Sequence, residues 1–585
     1  MSGRAGAGLD PCAAIQVPIT LEDGQEQQVL FLLGDAAQGE AQARTLARRY
    51  RESGEAANEL VAVRQQWRDT LDVVRIDTPD AALNTLANGW LLYQTLACRV
   101  WARSGHYQSS GAYGFRDQLQ DTMALAVARP DLTREHLLRS AAQQFVQADV
   151  QHWWHPPTNR GVRTQCSDDY LWLPFAVTHY VAVTGDADVL NEDVGFIEGR
   201  ALNPSESSNY DHPTPSRESA SLYEHCARAL SHALNKLGAH GLPLIGSCDW
   251  NDGMDKVGEH GRGVSVWLGF FLHDTLNRFA RLARTRDDLP FAMVCESAAR
   301  QLGLDLEQAG WDGRWYRRAY FDDGSPLGSA QNLECQIDSI SQSWSVLSGV
   351  ASADRAQLAM QSVAERLVDP KLGLVRLLTP AFDTAPMNPG YIRGYVPGVR
   401  ENGGQYTHAA VWTAMAFCAL QDQARVGPLL HMLNPIHHAD TPTGVATYKV
   451  EPYVMAADIY TTPGQQGRGG WTWYTGSSGL MYRLILESVL GMRLRGDTLS
   501  FQPCLPADWN GFTLRYRHGG TTYTVTAVRG GMPGDVDDGG DVGDVGDLGR
   551  VLVDGVVQDD GIIHLQDDGR DRAVTLELPG ILATA

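Results

Sequence analysis

Between about residue 80 and residue 490 the apolar side chains recur with a helical period, and beyond residue 495 the period switches to two. That switch separates a helical body from an all-β end. The body predicts long amphipathic helices, among them Ala81–Arg103, Arg134–Val150, Ser219–Leu237, Val264–Thr285, Asp354–Val368 and Thr407–Leu420, broken by loops rich in glycine and proline. Many alternating helices with the unusual motifs confined to loops predict a toroid of an inner and an outer ring. In the β end, Phe512, Leu514 and Tyr516 alternate, His518-Gly519-Gly520 turns, and Tyr523, Val525 and Ala527 alternate again. Asp554-Gly555 marks a further hairpin, and Val574, Leu576 and Leu578 follow, so a β-sandwich is expected.

At the other end, Ile15, Val17 and Ile19 alternate, Asp23-Gly24 turns and Val29–Leu33 returns, which predicts a hairpin. A lone hairpin buries too little to stand alone in water. It is therefore read as the last piece of a sheet whose earlier strands are absent from this chain. Residues 36–53 are rich in helix formers. Residues 533–549 repeat Asp, Gly and Val too irregularly for a calcium site and read as a disordered acidic loop.

A length of 585 residues exceeds one compact core. The net charge of −21 argues against nucleic acid or an anionic membrane as partner, so an anionic substrate must be held by locally gathered donors. No apolar run approaches the ~20 residues of a membrane span, and the N-terminus lacks a signal-peptide core. Nine cysteines with no CxxC pair fit reduced thiols and a cytoplasmic location better than a disulfide framework, and Cys248 reads as a packed thiol.

Four loops carry the chemistry. In Cys248-Asp249-Trp250-Asn251-Asp252-Gly253-Met254 two carboxyls flank a tryptophan. A carboxyl held against an indole is poorly solvated and favours its neutral form, so it can protonate a departing sugar oxygen. The alternative is an Asx-rich turn with an N-cap aspartate and a core tryptophan. Residues 151–175 gather two adjacent tryptophans, two histidines, two arginines and Asp168-Asp169, groups that stack on sugar rings and bind their hydroxyls, or else a structural loop with an Arg–Asp salt bridge. Residues 388–409 place Arg400, Glu401 and His408 among glycines. His408 opens a helix, where an anion is favoured, and is otherwise a capping or core histidine. Residues 467–479 form a glycine-rich loop with hydroxyls at Thr472, Thr475, Ser477 and Ser478; it can cradle phosphate, but lacks the Gly-Lys-Ser/Thr of a P-loop.

Together these loops resemble the inverting phosphorylases of glycoside hydrolase family 94 over about residues 80–530, and most of all the subgroup acting on β-1,2-glucans. The resemblance implies an (α/α)6 barrel preceded by a β-sandwich and followed by a small β-domain. The domains expected are a sandwich remnant at 1–35, a helical linker at 36–78, the catalytic barrel at 79–492 and a C-terminal β-sandwich at 493–585. It also implies Asp252 as general acid and Trp250 lining the subsite of the cleaved sugar. Asp169 and Arg163 would bind that sugar, and Arg400 and Glu401 would lie near the acceptor. Phosphate would be held by His408 and the Thr475-Gly476 pair. Cellobiose-type members carry a glutamine where this chain has Ala456-Ala457-Asp458, which points away from a β-1,4 disaccharide.

The activity implied is inverting phosphorolysis of β-linked gluco-oligosaccharides to α-glucose 1-phosphate, as the chain-length-controlling part of a cyclic β-1,2-glucan synthase. Inorganic phosphate would be the co-substrate, with no metal or organic cofactor. The partners implied are glucan and phosphate, with a second copy of the chain or missing N-terminal synthase domains as protein partners. The rival readings are an inverting hydrolase with Glu401 as base and a non-catalytic glucan-binding module.

Overall fold

The computed structural model of the chain describes residues 6–8, 14–34, 36, 38–52, 54–101, 111–203, 206–530 and 549–579. The chain divides into two compact units, residues 1–69 and 70–585. The first contributes the helix Glu40–Arg49 and most of the helix Glu55–Leu71. The hairpin expected at 15–33 does not form: these residues carry no strand, only a turn in which the Gln25 N–H donates to the Glu22 carbonyl, and Ile15, Phe31 and Leu33 are exposed. A two-stranded ribbon without a sheet to join has too little to bury.

The second unit is an (α/α)6 barrel with a β-sandwich at its C-terminal end. The barrel helices, in chain order, are α1 (81–101, mixed α and π turns), α2 (Phe115–Met123), α3 (Pro130–Ala141), α4 (Trp172–Thr184), α5 (Leu222–Leu234) and α6 (Val266–Thr285). They continue as α7 (Leu289–Asp305), α8 (Ser339–Leu347), α9 (Ala353–Arg366), α10 (Thr407–Ala419), α11 (Gln423–Leu433) and α12 (Ser477–Arg483, running on to residue 489).

The even-numbered helices form the inner ring. Each packs on the next, and α12 returns to α2 to close it. The odd-numbered helices pad the outside: α1 lies on α12 and α2, α3 on α2 and α4, and α5, α7, α9 and α11 on α4, α6, α8 and α10. Inner helices are covered on both faces; ten of the thirteen residues of α4 are buried. Along the axis Trp172 and Phe271 approach to 4.4 Å, and Trp344 and Trp412 to 5.4 Å, so aromatic rings fill the middle of the barrel and leave open space at its two ends.

Boundaries moved where local chemistry overrode periodicity. The helix expected at Arg134–Val150 starts at Pro130, whose fixed φ suits the first helical turn, and stops at Ala141.

The sandwich uses strands β1 (Val74–Asp77), β2 (Met492–Arg495), β3 (Thr498–Phe501), β4 (Gly511–His518), β5 (Thr521–Arg529), β6 (Arg550–Val553), β7 (Val556–Val557), β8 (Ile563–His564) and β9 (Arg572–Leu578). One sheet runs β1-β4-β5-β9-β6-β7 and the other β2-β3-β8. Gly519-Gly520 and Asp554-Gly555 turn the β4–β5 and β6–β7 hairpins as expected. Strand β1 was unexpected: it lies within the segment read as a helical linker, pairs antiparallel with β4 (Ile76 opposite Leu514), and has too short an alternation to signal itself. The acidic loop, except for Gly549, falls outside the described residues.

Candidate active site

The N-terminal ends of the inner helices open into a cleft of about 290 Å3. Its wall includes Asp252 and Trp250 from the 248–254 loop, Arg400 and Glu401, His408 on the first turn of α10, and Thr475-Gly476 leading into α12. Three segments that are far apart in sequence therefore meet here, and the reason is topological. Each precedes an inner helix, and the six inner helices point the same end toward the rim.

The same cleft contains residues the sequence reading missed: Arg99, Arg116, Asp117, Gln120, Tyr391, Tyr406, Trp471 and Tyr474. The signal was available in Gly114-Phe115-Arg116-Asp117-Gln118, a small residue followed by adjacent opposite charges at a helix start. A Cβ on Gly114 would lie 2.2 Å from the Asp117 carboxylate. A larger cavity of about 680 Å3 lies at the opposite ends of the inner helices, around Arg278, Arg483, Glu487 and Arg493, and contains no residue of the four loops.

Asp252 is not in the apolar, indole-lined setting expected. Its Oδ1 accepts a hydrogen bond from Arg116 at 2.8 Å, His152 Nε2 lies 4.0 Å from Oδ2, and the side chain is 39% exposed. Trp250 packs instead in an aromatic cluster, 4.8 Å from Trp412, 5.5 Å from Tyr406 and 5.6 Å from His408. Asp249 points the other way. It is fully buried, with Arg318 donating to both of its oxygens at 2.5 and 2.6 Å and Ser265 donating at 2.7 Å. It also accepts from the Asn251 N–H, which shapes the loop so that Asp252 faces the cleft.

Arg163 and Asp169 lie outside the cleft lining. Arg163 spends its donors on Asp149, at 2.6 Å to each oxygen, and on the Gly199 and Arg200 carbonyls. Asp169 reaches the site through His152, whose Nδ1 is 2.7 Å from its Oδ2. Its neighbour Asp168 accepts from Arg116 and from the Trp172 indole N–H, so Arg116 is clamped between Asp168 and Asp252.

His408 is buried, and its Nε2 has no hydrogen-bond partner among the described residues. Its Nδ1 lies next to Gly476, where an added Cβ would sit 3.4 Å away. Of the serine and threonine residues in the glycine-rich loop, Thr475 alone lines the cleft; it holds the turn by accepting from the Ser477 N–H. Ser478 faces Thr95 on α1 instead. The departure noted at 456–458 is split by the fold: Ala456 is buried, Ala457 lines the cleft, and buried Asp458 accepts from the Arg400 and Trp471 N–H groups, tying two cleft loops together.

Cys248 is not a free thiol. It is disulfide-bonded to Cys166, because the loops carrying them run side by side with their Cα atoms 4.7 Å apart. Cys98, Cys226, Cys295, Cys335, Cys418 and Cys504 are free thiols, as expected.

Two histidines set opposite pH limits on the fold. Burial, aided by the Arg99 and Arg116 guanidiniums, lowers the pKa of His408 to about 3. The unfolded chain, with a histidine pKa near ~6.5, then binds a proton that the folded chain refuses, and this contribution to stability is lost as pH falls below that value. Burial also opposes charge on His152, but Asp169 and Asp252 outweigh it and raise the pKa to about 9. Its contribution is complete below ~6.5 and is lost as pH rises through about 9. Thermal melts of His152→Asn should show a flattened alkaline limb with the acid limb unchanged; a parallel loss at every pH would contradict the assignment.

A helical barrel with carboxyl, histidine and glycine-loop groups around one rim cleft defines a carbohydrate-active (α/α)6 enzyme. Residues 66–491 match the catalytic domain of the glycosyl hydrolase 94 superfamily, residues 1–53 the glycosyl hydrolase 94 supersandwich domain, and residues 492–532 the C-terminal domain of glycosyl hydrolase family 65. The chain belongs to the glycosyl hydrolase 94 superfamily. It is 50% identical over 535 residues to the cyclic beta-(1,2)-glucan synthase NdvB of Rhizobium meliloti, covering 92% of this chain and 19% of that protein. It is 29% identical to the solabiose phosphorylase of Paenibacillus borealis, covering 90% of this chain and 64% of that one. The chain thus spans about a fifth of the first relative and under two-thirds of the second. Among solved structures, a family GH78 rhamnosidase of Bacillus sp. GL1 shares the fold, with a TM-score of 0.50 at 14% identity, over 78% of this chain and 42% of that one.

Proposed function

We propose that this chain catalyses inverting phosphorolysis of β-linked gluco-oligosaccharides, with β-1,2-glucan as substrate and α-glucose 1-phosphate as product. The observation that carries this reading is that one cleft holds a carboxyl group, Asp252, together with His408 and the Thr475-Gly476 turn. Protonated Asp252 donates to the glycosidic oxygen while phosphate attacks the anomeric carbon from the opposite face. Phosphate is already an anionic nucleophile at neutral pH, so no second carboxylate is needed as base. Its charge also favours the neutral, proton-donating form of a nearby acid. His408, being neutral, serves as a hydrogen-bond donor, and Arg99, Arg116 and Arg400 supply the positive charge that the acidic protein otherwise lacks.

The test is incubation with β-1,2-glucan with and without phosphate, reading sugar phosphate and reducing ends separately. Turnover should require phosphate, and His408→Ala should raise the KM for phosphate far more than that for glucan. Equal rates and free glucose in phosphate-free buffer would instead identify a hydrolase, with Glu401 of the same cleft as its base.

The β-1,2 linkage rests on likeness to the glucan synthase and on Ala456-Ala457, which stand where cellobiose-type members carry a polar side chain. Sophorose and longer β-1,2-glucans should be cleaved faster than cellobiose; the reverse order would refute the β-1,2 reading. Likeness to the glucan synthase supports a role in controlling glucan chain length, which would appear as shortening of long β-1,2-glucans by the isolated chain in phosphate.

A further inference from the structure

We infer that Cys166 and Cys248 form a reversible cystine that sets the working state of the acid at Asp252. This rests on the reading of Asp252 as general acid.

The pair sits against the reacting carboxyl. Cys248 Sγ lies 3.7 Å and Cys166 Sγ 4.0 Å from Asp252 Oδ1, the same oxygen that accepts from Arg116. Cys166 Sγ also lies 3.8 Å from Asp168 Oδ1 and 3.6 Å from the Asp249 carbonyl. The bond therefore joins the loop that carries Asp168-Asp169 to the loop that carries the acid, across 82 residues of sequence.

The backbone imposes this proximity independently of the bond. The Ser167 N–H donates to the Cys248 carbonyl at 2.9 Å, and the Ser247 N–H donates to the Gln165 carbonyl at 3.1 Å. Gly246, at φ +63°, lets the strands approach so closely that a Cβ there would lie 2.0 Å from the Gln165 oxygen. A left-handed glycine with no room for a side chain is specific to that approach. The two sulfurs thus stay neighbours after reduction and can re-form the bond.

Reduction changes what Asp252 meets. A dithiol reductant supplies a thiolate that attacks one sulfur. The S–S bond breaks through a mixed disulfide, and the second reductant thiol closes its own disulfide, leaving Cys166 and Cys248 as thiols with two electrons and two protons gained. Peroxide reverses the step, taking those electrons and protons to water. In the cystine neither sulfur carries a proton. In the dithiol each S–H is a weak donor beside Asp252 Oδ1, which favours the carboxylate over the proton-donating acid.

The oxidised chain should therefore be the faster one, with kcat falling about three- to tenfold on reduction, the effect of one added weak hydrogen bond to the ionised acid. The experiment uses the full chain treated with a dithiol or with hydrogen peroxide. Peptide mapping without reduction should find Cys166 cross-linked to Cys248 after peroxide and both alkylated after dithiol. The loss of kcat should be restored by reoxidation, and Cys248→Ser and Cys166→Ser should be insensitive to either reagent. Hydrogen exchange of residues 246–254 should rise on reduction, a readout that needs no turnover and so separates this proposal from a failure of the phosphorolysis reading. Absence of the cross-linked peptide, a redox response that persists in both serine variants, or unchanged exchange and kcat in a verified dithiol form would each overturn it.

Discussion

Replacing Asp252 with asparagine will slow phosphorolysis of an unactivated β-linked glucan by about 10²–10⁴-fold while leaving glucan binding nearly intact. The carboxyl lines the cleft and its Oδ1 is held by Arg116, so the amide keeps a similar shape and an oxygen for that hydrogen bond. What it loses is the transferable proton, which matters only as the leaving oxygen takes on charge. The loss should therefore fall on kcat. An activated substrate with a good leaving group needs less protonation and should recover much of the rate. Near-normal kcat on unactivated glucan would remove Asp252 from the role of acid.

Asp249→Ala should be the most damaging single change to stability among the loop residues, about 3–5 kcal/mol. Asp249 and Arg318 are both fully buried and share two short hydrogen bonds, and Arg318 also lies 3.5 Å from Asp338. Removing the carboxylate leaves a guanidinium without its main partner in a place water does not reach. In the sequence the two aspartates, three residues apart, look alike until one is seen to face inward. Chemical denaturation should show a lower midpoint for Asp249→Ala, and Asp249→Leu combined with Arg318→Met should recover part of the loss. If Asp249→Ala unfolds at the wild-type midpoint, the buried pair does not support the fold.

The amphipathic outer helices, the switch to period two and the paired glycine turns were legible because each depends on neighbours within a few residues. Of the inner helices α6 and α10 were legible too, whereas the nine-residue α8 was not, since so short a helix shows too little of its period to be read. Strand β1 was missed for a related reason: four residues of alternation acquire meaning only when β4 lies alongside them.

The site divides in the same way. Sequence by itself singled out three of the loops that meet at the cleft, because the types of residue able to protonate a sugar oxygen or hold phosphate are few and stand together there as Asp252, His408 and Thr475-Gly476. Only the tertiary structure decided the direction of each side chain. It turned Asp249 and Arg163 inward to buried partners, put Arg116 rather than an indole against Asp252, and joined Cys166 to Cys248. The physical reason is that a charged side chain goes where its counter-charge is, and here the counter-charges lie 14 to 136 residues away, brought together only in the folded chain.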